Sequence, residues 1–198
     1  MKKTLLLLIG LSVQSCNAQT SFDLAEIRNE ITTEETHAIL FTLAHDDMKG
    51  RDTNSGGFYK AAAFVTNYFE THGIQPFYPA YRDSLVTDSL TAYNLVGRIG
   101  DYDPNRKTIL LGAHLDHIGI KDVEDDQIFN GANDNATGST AVLQISRYLA
   151  QHQWKQNIVV ALFADEEKGL KGAYHLAERM KNEKVELAYM VNFEMIGS

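Results

Sequence analysis

The most informative segment of the chain is Thr108-Ile109-Leu110-Leu111-Gly112-Ala113-His114-Leu115-Asp116, in which an apolar run leads directly into polar side chains. The run Thr108–Ala113 is continuously apolar, which is typical of a strand that is buried on both faces. Ile158–Ala164 and Leu187–Phe193 have the same character, and helical patterns lie between the three runs. This β-α-β-α-β order predicts an α/β fold, a three-layer α/β/α sandwich with a mostly parallel mixed sheet.

The other elements are indicated by capping signals and helical spacing. Thr32-Thr33-Glu34-Glu35 has the form of a capping box, and a helix is predicted from it through Leu43. Apolar residues from Phe58 to Phe69 recur at helical spacing, with Gly73 as the C-cap. Further predictions are helices at Gly138–Ala150 and Leu170–Met180, a strand at Tyr93–Ile99, loops at 46–57 and 121–127, and an extended segment at 75–88.

The composition is that of one globular domain, which we place at residues 32–198. The 198 residues are 44% hydrophobic and 22% charged, which is enough for a sizeable core. The formal net charge is −8, whereas a nucleic-acid-binding surface needs an excess of Lys and Arg, so no nucleic-acid partner is expected. An acidic chain can instead use its carboxylates as metal ligands.

Residues 1–16 have the features of an export signal. A basic start precedes the apolar run Leu5–Val13, which is too short to span a bilayer. The only cysteine, Cys16, follows a small residue and resembles the lipid-modified cysteine of a bacterial lipoprotein. We expect an exported protein, either periplasmic or anchored to the membrane through Cys16, with residues 17–31 as a tether. The alternative is ordinary secretion with cleavage near Ala18.

The polar residues that follow the buried strands form a pattern typical of a metal site. In an open α/β sheet, ligands bind beyond the carboxyl ends of the strands. Buried carboxylates need a cation or a hydrogen-bonding partner, and one metal site would serve all of them. The residues concerned come after the three apolar runs and are His114, Asp116, Glu166, Glu167 and Glu194.

Asp134 adds a carboxylate on a loop that lies between these groups in the sequence. The loop, Asn130–Ser139, is small, polar and rich in glycine, so its backbone can approach a ligand closely. Asp134 could present both oxygens and bridge two metal ions, although the loop alone would also suit a tight turn before a helix. Neighbouring residues of an extended chain point in opposite directions, so Glu166 and Glu167 are expected to differ in role. One would be a metal ligand and the other a general base.

Four motifs in this order resemble the two-zinc aminopeptidase family of clan MH. Relatives in that clan include glutamate carboxypeptidase, the glutaminyl cyclases and the transferrin receptor. The resemblance covers residues 33–198 and implies a zinc-exopeptidase-like fold. The motifs are His114-Leu115-Asp116, Gly131–Gly138, Glu166–Gly169 and Asn192–Gly197, with Met48–Arg51 as a further similar segment.

The resemblance implies a role for each matching residue. His114 would bind the first zinc ion and Asp134 would bridge both ions, with a cis peptide bond after Asp134. Glu166 would be the general base, and Glu167 would be a ligand of the second zinc ion. Asp116 would be the supporting carboxylate.

Two departures from the family pattern bear on activity. Glu194 stands where the family usually has an aspartate, so its carboxylate is displaced by about one bond length, around 1.5 Å. The family's last ligand is a histidine on a later loop, and the sequence ends at Ser198 without a residue in that place. We therefore expect the C-terminal part of the family's domain to be missing and the second zinc site to be incomplete. Leu187–Phe193 would then lose a covering neighbour and expose an apolar edge.

The leading functional hypothesis is an exported, zinc-dependent exopeptidase of the aminopeptidase type. It would hydrolyse peptide bonds by means of a metal-activated water, with Glu166 as the base. One alternative is a zinc acyltransferase of the glutaminyl cyclase type. Another is a catalytically inactive relative that keeps the fold without the chemistry.

Six histidines lie outside these motifs, and we expect them to be surface or packing residues. His117 is the least secure of these assignments, because it lies close to His114 in the sequence. The six are His37, His45, His72, His117, His152 and His175.

Overall fold

The structure, a computed structural model, describes residues 24–87, 90–122 and 126–197. The export signal, Cys16 and part of the loop at 121–127 lie outside these residues. Among the described residues, no helix combines the length and the apolar character needed to cross a bilayer. The helices are α1 (Leu24–Glu30), α2 (Thr33–Leu43), α3 (Gly56–Thr71), α4 (Thr137–Ala150) and α5 (Lys171–Asn182). The strands are β1 (Gln75–Pro76), β2 (Arg82–Thr87), β3 (Leu90–Ile99), β4 (Thr108–His114), β5 (Asn157–Phe163) and β6 (Leu187–Asn192).

The strands form one mixed sheet with the order β1-β3-β5-β4-β6, and β2 also pairs with β3. Strand β4 lies in the middle of a parallel set, with β5 on one side and β6 on the other. Strand β3 runs antiparallel to β5, β1 and β2. The predicted α/β architecture with a mixed sheet is confirmed, and the carboxyl ends of the three parallel strands lie at one edge.

The two central strands are buried on both faces, as their apolar runs predict. Every residue of β5 is buried, and its side chains alternate between two hydrophobic clusters. Val160 and Leu162 pack in a cluster with residues of α2, α3 and α4, whereas Val159 and Ala161 pack with residues of α5. Helices therefore cover both faces of the sheet, which gives the three-layer sandwich.

The helices begin where the sequence supplies a cap. The hydroxyl oxygen of Thr32 accepts a hydrogen bond from the Glu35 amide at 3.2 Å, which starts α2. The Ser55 hydroxyl does the same for the Phe58 amide at 3.2 Å, so α3 begins inside the segment that was expected to be a loop. These caps fix the residues at which α2 and α3 begin.

Two other segments differ from the expectation in detail. The predicted tether at 17–31 contains helix α1, and Arg147 of α4 binds the Glu30 carbonyl oxygen and carboxylate at its end. This contact ties α1 to the domain. The predicted extended segment at 75–88 contains β1 and β2, but a 3₁₀ turn at Pro79–Tyr81 separates them. Pro79 occupies the first turn, where a missing N–H costs nothing.

The prediction that Leu187–Phe193 is a buried strand is wrong for β6. All six residues of β6 are exposed, including Tyr189 and Met190. Strand β6 pairs with β4 on one side only, and no described residue forms a strand on its other side. The expectation of an exposed apolar edge fits this arrangement.

Candidate metal centre

His114 is the innermost residue of the site, and its ring orientation is fixed by a backbone contact. It ends β4, and its side chain is 1% exposed. The Nδ1 atom lies 2.9 Å from the main-chain oxygen of Asp116, and because a carbonyl oxygen only accepts, Nδ1 carries the proton. The other ring nitrogen, Nε2, therefore faces the site, where a metal ion could take the place of its proton.

Two carboxylates meet at that nitrogen. Nε2 of His114 lies 3.1 Å from Oδ1 of Asp134 and 3.0 Å from Oε1 of Glu194. Burial alone would lower the pKa of His114, but Asp116 and Glu194 raise the pKa to about 9. The cluster therefore favours a positive charge at this point. The longer side chain of Glu194, relative to the family's usual aspartate, still reaches His114.

The loop that carries Asp134 is joined to the loop after β6 by buried hydrogen bonds. Asn135 is fully buried and donates from Nδ2 to the Phe193 carbonyl oxygen at 2.9 Å. Its Oδ1 accepts from the amides of Gly138 and Met195 at 3.0 and 3.2 Å. The Asp134–Asn135 peptide bond is cis, as the resemblance implies. Asp134 and Glu194 are thus held on the same side of the sheet edge.

Asp116 supports the loop after β5. Its Oδ1 accepts a hydrogen bond from the Glu166 amide at 3.2 Å, and its Oδ2 accepts from the Glu167 amide at 3.4 Å. The side chain is 1% exposed, and its Oδ1 also lies 3.7 Å from Nδ1 of His114. Asp116 therefore fixes the backbone from which the two glutamates project.

Glu166 lies at the open side of the site. Its Oε2 is 4.0 Å from Nε2 of His114, and its side chain is part-exposed. Partial burial raises the pKa of Glu166, and the neighbouring carboxylates of Glu167 and Glu194 act in the same direction, whereas His114 lowers it. A carboxylate with a raised pKa beside a metal site is suited to accept and return a proton.

Arg51 links the loop after β4 to the loop that carries Asp134, a role that the sequence did not predict. The residue is fully buried, and its guanidinium donates to four main-chain carbonyl oxygens. Burial lowers the pKa of Arg51 to about 10, against the opposing charges of Asp116 and Asp134. The accepting carbonyl groups belong to Leu43, Leu115, Asn130 and Gly131, at 2.5 to 2.8 Å.

His117 lies inside the site, although the sequence favoured a surface or packing role. Its Nδ1 is 2.5 Å from Oε1 of Glu167 and 3.8 Å from Oδ2 of Asp134. The available signal was the spacing of two histidines around Asp116, at positions 114 and 117. The other five histidines contact aromatic rings, a helix end or Asp83, away from this site.

The donor atoms are chemically suited to zinc. Among the described residues, two groups could hold a metal ion, and they share Asp134. One group contains His114, Asp134 and Glu194, and the other contains His117, Asp134 and Glu167. Ligand atoms about 2.0–2.2 Å from a tetrahedral zinc ion lie roughly 3.3 Å from one another, close to the separations around His114 Nε2. Imidazole and carboxylate donors are the set that zinc accepts in hydrolytic sites.

An α/β sandwich with such a cluster at the carboxyl edge of its parallel strands defines a class of metal-dependent hydrolase folds. A family model described as Peptidase family M28 matches residues 94–198, just over half of the chain. The chain therefore belongs to peptidase family M28, which confirms the resemblance to the clan MH aminopeptidases.

Curated relatives match a similar part of the chain. A protein of Pyrenophora teres f. teres named "Probable zinc metalloprotease" is 35% identical over 100 residues, which are 50% of this chain and 20% of that protein. An "Aminopeptidase" of Pseudomonas aeruginosa is 32% identical over 117 residues, 58% of this chain and 20% of that protein. The matched part of the chain thus spans about a fifth of the length of each of these relatives.

Solved structures confirm the fold. The LapA aminopeptidase of Legionella pneumophila superimposes with a TM-score of 0.70 at 22% identity, covering 87% of this chain and 46% of that one. The glutaminyl cyclase of Porphyromonas gingivalis gives a TM-score of 0.68 at 16% identity, covering 84% of this chain and 62% of that one. At these identities the likeness shows a shared fold and not a shared substrate.

Proposed function

We propose that the protein is an exported, zinc-dependent exopeptidase of the aminopeptidase type. The observation that carries the proposal is the meeting of His114, Asp134 and Glu194 within ligand distance, with Glu166 at the open side. Membership of peptidase family M28 supports peptide substrates, and the name of the Pseudomonas aeruginosa relative supports action at the N-terminus.

The residues divide the work of hydrolysis between them. A zinc ion held by His114, Asp134 and Glu194 would polarise the peptide carbonyl and make water more acidic. Glu166 accepts the proton that water loses on attacking the carbonyl carbon, and it returns that proton to the amine that leaves. Asp116 keeps Glu166 in place through the backbone amides of the loop. Each cleavage consumes one water molecule and releases one amine and one carboxylate.

The Glu166→Gln variant tests this division of roles. The amide keeps the size of the side chain but cannot accept the proton, so we expect kcat for aminoacyl-nitroanilides to fall by about 10²–10⁴-fold. Zinc content, measured by mass spectrometry of the dialysed protein, should not change. Glu178→Gln is the matched control, because Glu178 is exposed on α5 and lies outside the site. Full activity in Glu166→Gln would contradict the proposal.

The glutaminyl cyclase alternative predicts a different product. A zinc acyltransferase would convert an N-terminal glutaminyl peptide into a cyclised peptide that has lost ammonia, which mass spectrometry detects directly. The peptidase proposal predicts instead a free amino acid and a shortened peptide. A zinc-loaded protein that gives neither product would match the inactive alternative.

Export and lipid attachment are part of the proposal and rest on residues 1–16. The basic start, the run Leu5–Val13 and Cys16 support it. Expression in a bacterium with labelled palmitate should label the wild-type protein in the membrane fraction. Cys16→Ser should remove the label, and label that persists in this variant would contradict lipid attachment at Cys16.

A further inference from the structure

The turn that carries Glu166 contains an unfavourable backbone conformation. Asp165, directly before Glu166, has a φ of +53°, in the left-handed region that a residue other than glycine adopts only at a cost in free energy. Such a conformation persists where the surrounding structure holds it. The turn is closed by the amides of Gly169 and Leu170, which both donate to the Glu166 carbonyl oxygen at 2.9 Å. The direction of the Glu166 side chain therefore depends on what holds Asp165.

The carboxylate of Asp165 is buried and needs a compensating charge. Its side chain is 1% exposed, and no donor among the described residues forms a hydrogen bond with either of its oxygens. A buried charge without a partner is strongly unfavourable. The ammonium group of Lys168 lies 3.5 Å from Oδ1 of Asp165 and supplies the opposite charge.

Lys168 also reaches the segment that precedes α3. Its ammonium group lies 2.8 Å from Oδ1 of Asp52 and donates to the Thr53 carbonyl oxygen at 3.5 Å. The Thr53 hydroxyl oxygen in turn accepts a hydrogen bond from the Asp165 amide at 3.0 Å. Both the side chain and the backbone of Asp165 are therefore fastened to this segment.

The same segment already joins two other loops of the site. Arg51, next to Asp52, donates to the carbonyl oxygens of Leu115, after β4, and of Gly131, in the loop before α4, each at 2.8 Å. The contacts of Lys168 add the loop after β5 to this framework. A change at Lys168 should therefore act on the position of that loop.

We propose that Lys168 is a positioning residue for the general base, and that it acts through an ionic bridge from Asp52 to Asp165. The inference rests on the proposed function, because Lys168 acts through Glu166. Without the ammonium group, the buried carboxylate of Asp165 would lose the charge beside it, and the turn would rearrange. A displacement of a reacting group by about 1 Å lowers a rate by up to about 10²-fold, so the bridge should affect turnover.

Steady-state kinetics with zinc in excess test this role. Lys168→Met keeps the apolar stem and removes the charge, so we expect kcat for aminoacyl-nitroanilides to fall by about 10–100-fold while KM stays within about twofold. Lys168 is 42% exposed, so its replacement should leave the domain folded. Lys168→Arg keeps the charge and should restore most of kcat. Lys181→Met is the matched control, because Lys181 is exposed in the last turn of α5, and its kcat should not change.

Hydrogen exchange followed by mass spectrometry tests the bridge without turnover. The amides of Gly169 and Leu170 are protected only while the turn keeps its shape. We expect these amides to exchange about tenfold faster in Lys168→Met. Exchange in Lys168→Arg and Lys181→Met should match that of the wild type.

The possible results separate this inference from the proposed function. Unchanged kcat or unchanged exchange in Lys168→Met would overturn the inference, as would a rise in KM at constant kcat, which would indicate contact with the substrate. A wild type that cleaves no peptide would overturn the proposed function. The exchange rates would then decide the bridge alone: faster exchange in Lys168→Met supports it, and unchanged exchange overturns it.

Discussion

The two faces of the sheet differ in how completely they are covered. On one face, α2, α3 and α4 close over a large cluster that includes Phe58, Val65 and Phe69, all at most 1% exposed. On the other face, α5 covers a smaller cluster, and a groove of about 580 Å³ remains between α5 and β6. The groove is lined by apolar side chains that include Leu176 and Met190.

The site lies at the carboxyl edge of the parallel strands, and its candidate ligands differ in solvent exposure in the same way as the two faces. His114, at the end of the buried strand β4, has a side chain that is 1% exposed, whereas that of Glu194, after the exposed strand β6, is 44% exposed. The closed face therefore fixes the ligands on β4 and the neighbouring loops. The open face leaves Glu194 accessible to solvent. A bound metal ion would therefore order the side chain of Glu194 more than that of His114.

A pair of truncations should show the difference between the faces most strongly. Phe69→Ala removes a fully buried ring that packs close to Gly97, and we expect the free energy of unfolding to fall by about 3–5 kcal/mol. Met190→Ala acts at a side chain that is 40% exposed and should cost less than about 1 kcal/mol. Urea unfolding of both variants measures the two values. Equal losses would show that the faces are packed alike.

Replacing Arg51 should affect the closed side of the site next most strongly. Arg51→Met keeps an unbranched side chain of moderate length but leaves four main-chain carbonyl oxygens without their donor, two of them buried and two part-buried. The loss is partly offset because the variant removes a buried charge. We expect a loss of about 2–4 kcal/mol in urea unfolding and weaker zinc binding by calorimetry. Arg28→Met, at an exposed position on α1, is the control and should change neither. Unchanged zinc affinity in Arg51→Met would contradict the positioning role.

A substitution on the exposed strand β6 should change the self-association of the protein and hardly change its free energy of unfolding. Tyr189 on β6 is 55% exposed, and β6 has no strand on its outer side among the described residues. We expect the wild-type chain to associate as its concentration rises, and Tyr189→Lys to reduce this association because a charge disfavours edge pairing. The change in unfolding free energy should stay within about 0.5 kcal/mol. Light scattering across a concentration series measures the association, and a monodisperse wild type would contradict the prediction.

The central strands and the polar residues that follow them could be predicted from the sequence, because both depend on short local patterns. The runs Thr108–Ala113 and Ile158–Ala164 identify central strands, because residues covered on both faces must be apolar throughout. The groups that follow them, such as His114 and Glu166, lie at the predicted edge because parallel strands end together.

The remaining features depend on distant parts of the chain. The apolar run of β6 matches that of β4, but its exposure follows from which strands lie beside it. His117 reaches Glu167 only because the chain turns after β4 and Gly131 packs on its ring. Arg51 finds four carbonyl groups from three separate segments, and no local pattern reports that arrangement.

Anomalous diffraction at the zinc absorption edge, from crystals of the zinc-loaded protein, tests the assignment of the metal centre. We predict a peak in contact with Nε2 of His114, Oδ1 of Asp134 and Oε1 of Glu194, at about 2.0–2.2 Å from each. No peak among these atoms, or zinc bound only elsewhere with the three side chains turned away, would contradict it.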